Sequence, residues 1–488
     1  MFLGIDLGTS EVKLLLLADD HRIVATVGEK LTVSRPHPHW SEQDPAEWWS
    51  ATGKAMAALR AKVPAEYSKI KSIGLSGQMH GATLLDAQDK VLRPAILWND
   101  TRSAAECVEL TARFPKLPDV SGNLAFPGFT APKLVWVAKN EPEIFAKVAS
   151  VLLPKDYLRM KLVGEKVSEM SDAAGTLWLD VAKRDWSDEL LAATGLNRSH
   201  MPRLVEGSAI SGKLLPALAA EWGLSSDVVV AGGGGDNAAS AVGIGAVAPG
   251  DGFISLGTSG VLFVVTDRFR PNPQSAAHAF CHAVPGRWHQ MSVILSAASC
   301  LSWVTRLVGA VSESALLDQM RALPQSALDS APIFLPYLSG ERTPHNDAEA
   351  QGVFFGLNHD TDAARLAYSV IEGVTFAITD GLAALQAAGT EVGRLSLVGG
   401  GSRSPEWAQL HATMLNTEVV TVEGSEAGGA LGAARLAWLA AGGDEARVCT
   451  APPTRTLFKP DAAQRARLLP RYERFKTLYP RVRDLFAR

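Results

Sequence analysis

Two copies of one tetrapeptide are well suited to bind phosphate. Leu-Gly-Thr-Ser occupies positions 7–10 and returns at positions 256–259, each time between two short apolar runs. A strand–turn–strand unit of this kind is a β-hairpin whose turn exposes backbone N–H groups and hydroxyls, and its glycine lets a ligand approach the backbone closely. One such turn is common at any hairpin tip. Its duplication in matched contexts indicates two related domains that hold one polyphosphate between them.

Two carboxylates lie near these predicted phosphate turns. Asp6 precedes the first turn directly, and Asp236 follows four consecutive glycines, 232–235, after a β-branched run. Glycine loses more backbone freedom on folding than any other residue, so this stretch indicates close approach of a ligand or a hinge. Asp236 also lies shortly before the second tetrapeptide, where the two halves of the chain would meet. The alternative is that Asp236 is only a helix N-cap.

Polar side chains follow two further strand-like runs, at 70–75 and 95–97. The side chains concerned are Gln78, Met79, His80, Trp98 and Asn99. Ligands of α/β proteins bind beyond the carboxyl ends of strands. Gln78 and His80 can hydrogen-bond a polyol, and Met79 can pack on its carbon face. These segments therefore predict two sides of a small polar pocket, unless His80 only caps a neighbouring element.

Another glycine-rich turn lies near the end of the chain. The strand-like run 395–398 leads into Gly399, Gly400, Gly401 and Ser402, and a helix is expected from Pro405. A glycine-rich turn between a strand and a helix lets a ligand lie against the backbone. The alternation of strands and helices in both halves of the chain indicates an α/β protein.

Length and composition describe a globular protein of more than one domain. The 488 residues correspond to roughly two to four domains. A net charge of −4 gives no indication of nucleic-acid or anionic-membrane binding. The four cysteines are far apart, which favours a reducing compartment, and neither a leader nor an apolar run of about 18 residues is evident. We therefore expect a cytoplasmic protein with no nucleic-acid or membrane partner.

These segments resemble the FGGY family of carbohydrate kinases over essentially the whole chain. Residues 4–10 and 256–260 are similar to the two phosphate motifs of the family, and residues 399–402 to its adenosine motif. Residues 128–136 match a longer family signature throughout.

The chain departs from the family pattern at two positions. Residues 352–372 match a second signature except at Arg365, where the family usually has an acidic, amide or histidine side chain. Glu11 stands where the family usually has a small residue, which puts an acid close to the expected phosphates.

Within the family, the chain is most similar to the D-xylulose kinases, on the basis of residues 76–81, 98–100 and 339–345. The resemblance implies ATP- and Mg²⁺-dependent phosphorylation of D-xylulose to D-xylulose 5-phosphate in pentose catabolism, by in-line transfer. It also implies an actin-like (ribonuclease H-like) duplicated α/β fold with a nucleotide and sugar cleft between two domains. We expect an N-terminal domain at 1–245, a C-terminal domain at 246–445 and a helical tail at 446–488 that packs on them.

The resemblance further implies a role for each candidate residue. Asp236 is expected to be the general base, and Asp6 to bind Mg²⁺ through water, because magnesium keeps several waters and takes few carboxylates. The sugar is expected to contact Gln78, Met79, His80, Trp98, Asn99, Asp236 and Asn237. The nucleotide is expected to contact Gly8, Thr9, Ser10, Lys13, Gly257, Thr258, Ser259, Gly399, Gly400, Gly401 and Ser402.

Three other functions stay open at this point. The protein could phosphorylate another polyol, such as ribulose, gluconate or glycerol. It could be a nucleotide-driven structural or chaperone protein of the actin-like superfamily, because fold does not determine function, although Asp236 beside a sugar loop argues against this. It could also be an inactive sugar sensor, although the expected carboxylates are all present. A homodimer is an open alternative to a monomer.

Overall fold

A computed structural model of the chain describes residues 1–424 and 427–486. Its strands are β1 (Phe2–Leu7), β2 (Glu11–Leu17), β3 (Ile23–Lys30), β4 (Glu42–Gln43), β5 (Ser72–Gly77), β6 (Thr83–Leu85), β7 (Ala95–Ile96), β8 (Ser150–Leu152), β9 (Val167–Glu169), β10 (Leu179–Asp180), β11 (Asp185–Trp186), β12 (Arg203–Val205), β13 (Ile210–Lys213), β14 (Val229–Ala231), β15 (Gly234–Gly235), β16 (Gly252–Leu256), β17 (Gly260–Thr266), β18 (His278–Cys281), β19 (Trp288–Ile294), β20 (Ile333–Leu335), β21 (Val353–Phe355), β22 (Leu395–Val398), β23 (Val419–Val422) and β24 (Thr454–Phe458).

The α-helices are α1 (Pro45–Lys62), α2 (Pro64–Tyr67), α3 (Ala104–Arg113), α4 (Leu117–Ser121), α5 (Thr130–Asn140), α6 (Pro142–Phe145), α7 (Pro154–Val163), α8 (Met170–Ala174), α9 (Asp188–Ala193), α10 (Pro216–Trp222), α11 (Asp236–Gly243), α12 (Ala298–Leu307), α13 (Glu313–Arg321), α14 (Gln325–Asp329), α15 (Ala363–Ala387), α16 (Pro405–Leu415), α17 (Gly428–Ala440), α18 (Glu445–Val448) and α19 (Ala462–Val482). Short 3-10 turns lie at Arg198–His200, Pro273–Ser275, Gly400–Arg403 and Arg483–Leu485.

The chain forms two large mixed sheets with the same central topology. The first has the order β13-β14-β5-β1-β2-β3, and the second has the order β18-β19-β17-β16-β22-β23-β24. In the first sheet, β1 is antiparallel to β2 and parallel to β5, and β14 is parallel to β5 and antiparallel to β13. The second sheet repeats these four pairings. β16 is antiparallel to β17 and parallel to β22, and β23 is parallel to β22 and antiparallel to β24. The repeat confirms the predicted duplication.

Helices α11 and α17 cross between the two sheets at glycine contacts. A Cβ atom on Gly432 of α17 would lie 1.7 Å from the carbonyl oxygen of Ala239 in α11. On the first sheet, a Cβ atom on Gly74 of β5 would lie 1.9 Å from the carbonyl oxygen of Ala433. Only glycine leaves room for these backbones to touch, so the crossing depends on these positions.

We expect Gly74→Ala to lower the thermal midpoint of unfolding. The added methyl group must push α17 away from β5, and overpacking of this kind costs about 1–3 kcal/mol. Gly53→Ala is the matched control, because Gly53 lies within α1 with open space around it, and alanine favours a helix by roughly 1 kcal/mol over glycine. Calorimetric scans at one heating rate compare the variants. An unchanged midpoint in Gly74→Ala would contradict the close packing.

The segment predicted as a helical tail also contributes a strand. β24 pairs antiparallel with β23 and forms one edge of the second sheet. After it, α19 packs Tyr472 and Phe475 into the hydrophobic core of the second half of the chain, called the second core below. Arg471 forms a buried ion pair with Glu372 of α15 (2.7 Å). The described part of this segment is therefore integral to the second half of the molecule. The three domain boundaries remain predictions.

Helix α15 combines high hydropathy with deep burial. Its most apolar 18-residue window has a mean hydropathy of 1.2, enough for a membrane-crossing helix by length and composition, but 72% of that window is buried inside the structure. Its residues Val370, Ile371 and Val374 belong to the second core. Arg365, where the family signature is broken, pairs with Asp362 at the start of this helix (2.7 Å). The substitution is therefore accommodated near the surface.

Candidate active site

The two predicted carboxylates lie near the carboxyl end of β5, on or directly after the two strands that flank it in the first sheet. Asp6 in β1 is opposite Ser76 of β5, and Gly235, directly before Asp236, is opposite Gly77 of β5. Burial, and then the negative charge of Asp6, raise the pKa of Asp236 to about 6. A carboxylate that is mostly ionised at neutral pH but has a raised pKa suits the role of a general base.

Asp236 is the first residue of α11, whose N-cap is Gly235. Its Oδ1 atom accepts hydrogen bonds from the backbone N–H and the side-chain amide of Asn237, at 2.7 Å and 2.9 Å. These two bonds fix the plane of the carboxylate and leave Oδ2 available to accept a proton. The side chain therefore does not serve as the N-cap, the alternative role open from the sequence.

Two charged side chains, Lys13 and Glu11, lie near Asp6 on the sheet. Lys13 is directly opposite Asp6 in the β1–β2 pair, and its charge counteracts the burial that raises the pKa of Asp6. Glu11 acts in the opposite direction, and its carboxylate packs so closely on Gly28 of β3 that a Cβ atom there would lie 2.4 Å from Oε1. Glu11 is thus held against β3.

Three of the four hydroxyl-bearing residues in the predicted phosphate turns are exposed. The N–H group of Gly8 closes the first turn by donating to the carbonyl of Glu11 (3.0 Å), and that of Gly257 closes the second by donating to Ser259 (3.0 Å). Ser10, Thr258 and Ser259 are exposed. A bound phosphate would therefore meet the hydroxyls and the remaining amides rather than these two glycine N–H groups.

The predicted adenosine turn, residues 399–402, lies beside the second predicted phosphate turn. Gly399 has a φ of 84°, and a Cβ atom there would lie 2.7 Å from the carbonyl oxygen of Leu256, so the position requires glycine. Two cavities of about 470 and 410 Å³ meet at Gly400. Residues lining the larger one include Asn237, Ser240, Ser255, Gly399, Ser402 and Arg455. Residues lining the smaller one include Leu301, Ser302, Leu317, Gly401, Arg403 and Trp407.

His80 is held as a neutral hydrogen-bond acceptor. Its Nδ1 atom lies 2.6 Å from the carbonyl oxygen of Gly175, and because a carbonyl only accepts, Nδ1 carries the proton and Nε2 is free to accept. Burial lowers the pKa of His80 to about 3. The Nζ atom of Lys133 donates to the His80 carbonyl (2.9 Å), and the ring packs 4.4 Å from that of Phe129.

Residues from the second half of the chain lie close to His80. The guanidinium of Arg342 lies 4.8 Å over the ring of Phe126, and its NH1 atom is 3.4 Å from Nε2 of His278. Nδ1 of His278 donates to the amide oxygen of Asn123 (2.9 Å). The positive charge of Arg342 also contributes to the lowered pKa of His80. Neither His278 nor a role for Arg342 was evident from sequence, although Arg342 belongs to the 339–345 segment used there.

Gln78 and Trp98 connect this pocket to the first phosphate turn. The hydroxyl of Thr9 donates to Oε1 of Gln78 (3.1 Å) and accepts from the indole N–H of Trp98 (3.0 Å). Gln78 is only 3% exposed and also donates to Gln43 (3.0 Å), so its amide contacts the turn rather than open space. The ring of Trp98 is 48% exposed. Contact of Gln78 with a sugar remains a prediction.

Met79 and Asn99 are the remaining predicted sugar contacts of the two strand-end segments. A Cβ atom on Gly175 or on Gly235 would come within 3 Å of Met79 side-chain atoms, so this side chain is packed between the two glycines. The amide oxygen of Asn99 is buried and has no hydrogen-bond partner within the described residues. Met79 thus contacts the residue before Asp236, and sugar binding by Asn99 remains a prediction.

The arrangement of the predicted phosphate turns, the two carboxylates and the polar side chains around His80 suits phosphoryl transfer to a polyol. Residues 1–243 match the N-terminal domain model of the FGGY family of carbohydrate kinases, and residues 252–441 match its C-terminal domain model. The chain therefore belongs to this family, which confirms the resemblance and the actin-like two-domain fold.

Individual relatives match over the full length. The chain is 53% identical to the xylulose kinase of Escherichia coli (strain K12), with 100% of both chains covered. It is 55% identical to a crystal structure described as a xyloylose kinase from Brucella ovis, with a TM-score of 0.96 and 99% of each chain covered. A gluconate kinase from Lactobacillus acidophilus shares the fold at 23% identity, with a TM-score of 0.92 and coverage of 98% of this chain and 97% of that one.

Proposed function

We propose that this protein transfers the γ-phosphoryl group of ATP to D-xylulose and releases D-xylulose 5-phosphate. The observation that carries the proposal is the 53% identity to the Escherichia coli xylulose kinase over the full length of both chains. The fold alone does not select the sugar, because the gluconate kinase has the same fold.

Asp236 accepts the proton of the attacking sugar hydroxyl. An alcohol is a much weaker acid than a carboxylic acid, so this proton moves late, and orientation of the hydroxyl contributes much of the rate. Asn237 supports this role because its two hydrogen bonds to Oδ1 hold the carboxylate plane and leave Oδ2 for the proton.

The sugar lies between the two halves of the chain. Nε2 of His80 can accept a hydrogen bond from a sugar hydroxyl, and the guanidinium of Arg342, which comes from the second half of the chain, can donate one. Asn99 offers its unpaired amide oxygen, and Trp98 offers a partly exposed ring. Closure of the halves around the sugar excludes water, which would otherwise accept the phosphoryl group.

Asp6 suits a magnesium ion that arrives with ATP and keeps most of its waters. No group of three or more His, Cys, Asp or Glu side chains that could enclose a metal ion occurs in residues 1–424 or 427–486, and magnesium in such enzymes typically uses one or two carboxylates plus phosphates. Bound there, Mg²⁺ neutralises negative charge on the phosphates. Lys13, opposite Asp6, adds a second positive charge at the first phosphate turn.

The experiment that tests this function measures ADP release from Mg-ATP with and without D-xylulose. We expect slow hydrolysis without sugar and much faster ADP release with it, because closure around the sugar completes the site. Equal rates with and without D-xylulose would contradict the proposal.

The pH dependence of kcat should report Asp236. The base must be unprotonated, and its pKa is raised to about 6, so kcat should be constant above about pH 7 and fall tenfold per pH unit below the pKa. Circular dichroism over the same range controls for unfolding. A flat profile between about pH 5 and 8 would exclude a base with this pKa.

We also propose that the protein works in the cytoplasm, as a monomer or homodimer, without a nucleic-acid or membrane partner. The net charge of −4 and the burial of α15 in the second core support this. Analytical ultracentrifugation distinguishes the two assembly states.

A further inference from the structure

Five charged side chains are buried together directly behind the proposed site. They are Lys155, Asp156, Arg159, Glu169 and Asp172, and each has an exposed fraction of 0%. Removing charges from water is unfavourable unless they are paired and hydrogen-bonded, and apolar residues often fill such space equally well. The function proposed above assigns no role to this buried charge cluster.

The cluster is connected through Lys155 and Arg159. Nζ of Lys155 lies 2.8 Å from Asp156, 2.9 Å from Asp172 and 3.3 Å from Glu169. NH1 of Arg159 lies 2.6 Å from the same Asp156 oxygen. The two cations therefore hold three carboxylates in one arrangement.

The cluster contacts both ends of the glycine segment 232–235. Arg159 donates from NH2 to the carbonyl oxygen of Gly232. At the other end, the backbone N–H of Gly235 donates to the hydroxyl of Ser171 (3.0 Å), and that hydroxyl donates to Glu169 (2.8 Å). The segment has no side chains of its own to fix its path, and Asp236 follows it directly.

The cluster also reaches the sugar side of the site through α8. Glu169 is the N-cap of this helix and accepts from the backbone N–H groups of Ser171 (2.7 Å) and Asp172 (2.9 Å). Gly175, the residue after the helix, accepts the hydrogen bond from His80 (2.6 Å). One short helix thus contacts the residue before Asp236 at its first turn and His80 at its end.

We propose that the buried charge cluster and α8 position Asp236 relative to the bound sugar. Ser171 is the positioning residue that transmits this arrangement, through Gly235, to the base. The inference rests on the proposed function of Asp236 and His80. Small errors in the placement of reacting groups reduce enzymatic rates by as much as about 10²-fold.

The test compares Ser171→Ala with Ser168→Ala. Ser168 is also buried and donates to Asp156 of the same cluster (2.6 Å), but its hydroxyl has no hydrogen bond to the glycine segment. We expect Ser171→Ala to lower kcat with D-xylulose about 10- to 100-fold, with KM for ATP and sugar-free ATP hydrolysis unchanged. Ser168→Ala should stay within about twofold of the wild-type kcat.

The outcomes separate positioning from simple loss of folded protein. A merely structural defect would lower sugar-free hydrolysis and transfer by the same factor, and that result would overturn the inference. An unchanged kcat in Ser171→Ala, or an equal loss in Ser168→Ala, would overturn it as well. Ser171→Cys keeps the shape of the side chain, although sulfur is somewhat larger than oxygen, but it accepts hydrogen bonds only weakly. Its kcat should therefore lie between those of wild type and Ser171→Ala, and a wild-type value would contradict the inference. Absence of D-xylulose turnover in the wild type would instead reject the proposed function.

Discussion

Replacing Asp236 with asparagine should lower kcat for D-xylulose phosphorylation by about 10²–10⁴-fold, the usual contribution of a general base. The amide keeps the shape of the side chain but cannot accept the proton through Oδ2. ATP binding should be unchanged, because the role proposed for Asp236 is directed at the sugar hydroxyl rather than at the nucleotide. Coupled measurement of ADP release gives kcat, and calorimetric titration gives ATP affinity.

Asp380→Asn is the matched control for this prediction. Asp380 is another buried carboxyl, and burial raises its pKa to about 6 as well, but it lies on α15 and is bonded to Tyr472. Its replacement should leave kcat per folded molecule within about twofold. If Asp236→Asn retained wild-type kcat, Asp236 would not be the base.

Replacing Asp6 with asparagine should have the second largest effect. Loss of the carboxylate should raise the Mg²⁺ concentration needed for half-maximal rate by about 10- to 100-fold, the usual range for a supporting metal contact. The fall of kcat at acidic pH should also occur at a lower pH than in the wild type, because the charge of Asp6 helps to raise the pKa of Asp236. Magnesium titrations at several pH values measure both effects.

Glu11→Gln is the control for Asp6→Asn. Glu11 is also acidic and close to Asp6, but its carboxylate packs on Gly28. We expect its replacement to leave the magnesium requirement nearly unchanged. An effect as large as that of Asp6→Asn would mean that Glu11, rather than Asp6 alone, serves the metal.

Local patterns in the sequence predicted the fold and the chain segments that form the candidate site. The two hairpins, the glycine segment before Asp236 and the turn at 399–402 are each continuous in the chain, and turn chemistry identifies them directly. The duplicated topology followed because both hairpins have the same context. The strand β24 was not predicted, because the short run 454–458 has little hydrophobic alternation.

Contacts distant in sequence could not be predicted in the same way. Arg342 meets His278 and the loop that carries Phe126 only after the two halves fold together. Gln78 faces Thr9 rather than the open pocket, and one strand-end loop does not determine that orientation. The charges of Lys155 and Asp156 suggest a surface position, since such residues are almost never fully buried unless paired. Their partners Glu169 and Asp172 come after the end of α7, so the pairing is not evident from the local sequence.

The most direct test of the central claim is the ratio of kcat/KM for D-xylulose to that for D-ribulose, gluconate and glycerol, with the product identified by phosphorus NMR. We expect D-xylulose to have the highest value and the phosphate to be on its C5 oxygen. A higher kcat/KM for another of these polyols would contradict the proposed substrate. ATP turnover that none of these sugars stimulates would contradict phosphoryl transfer to them.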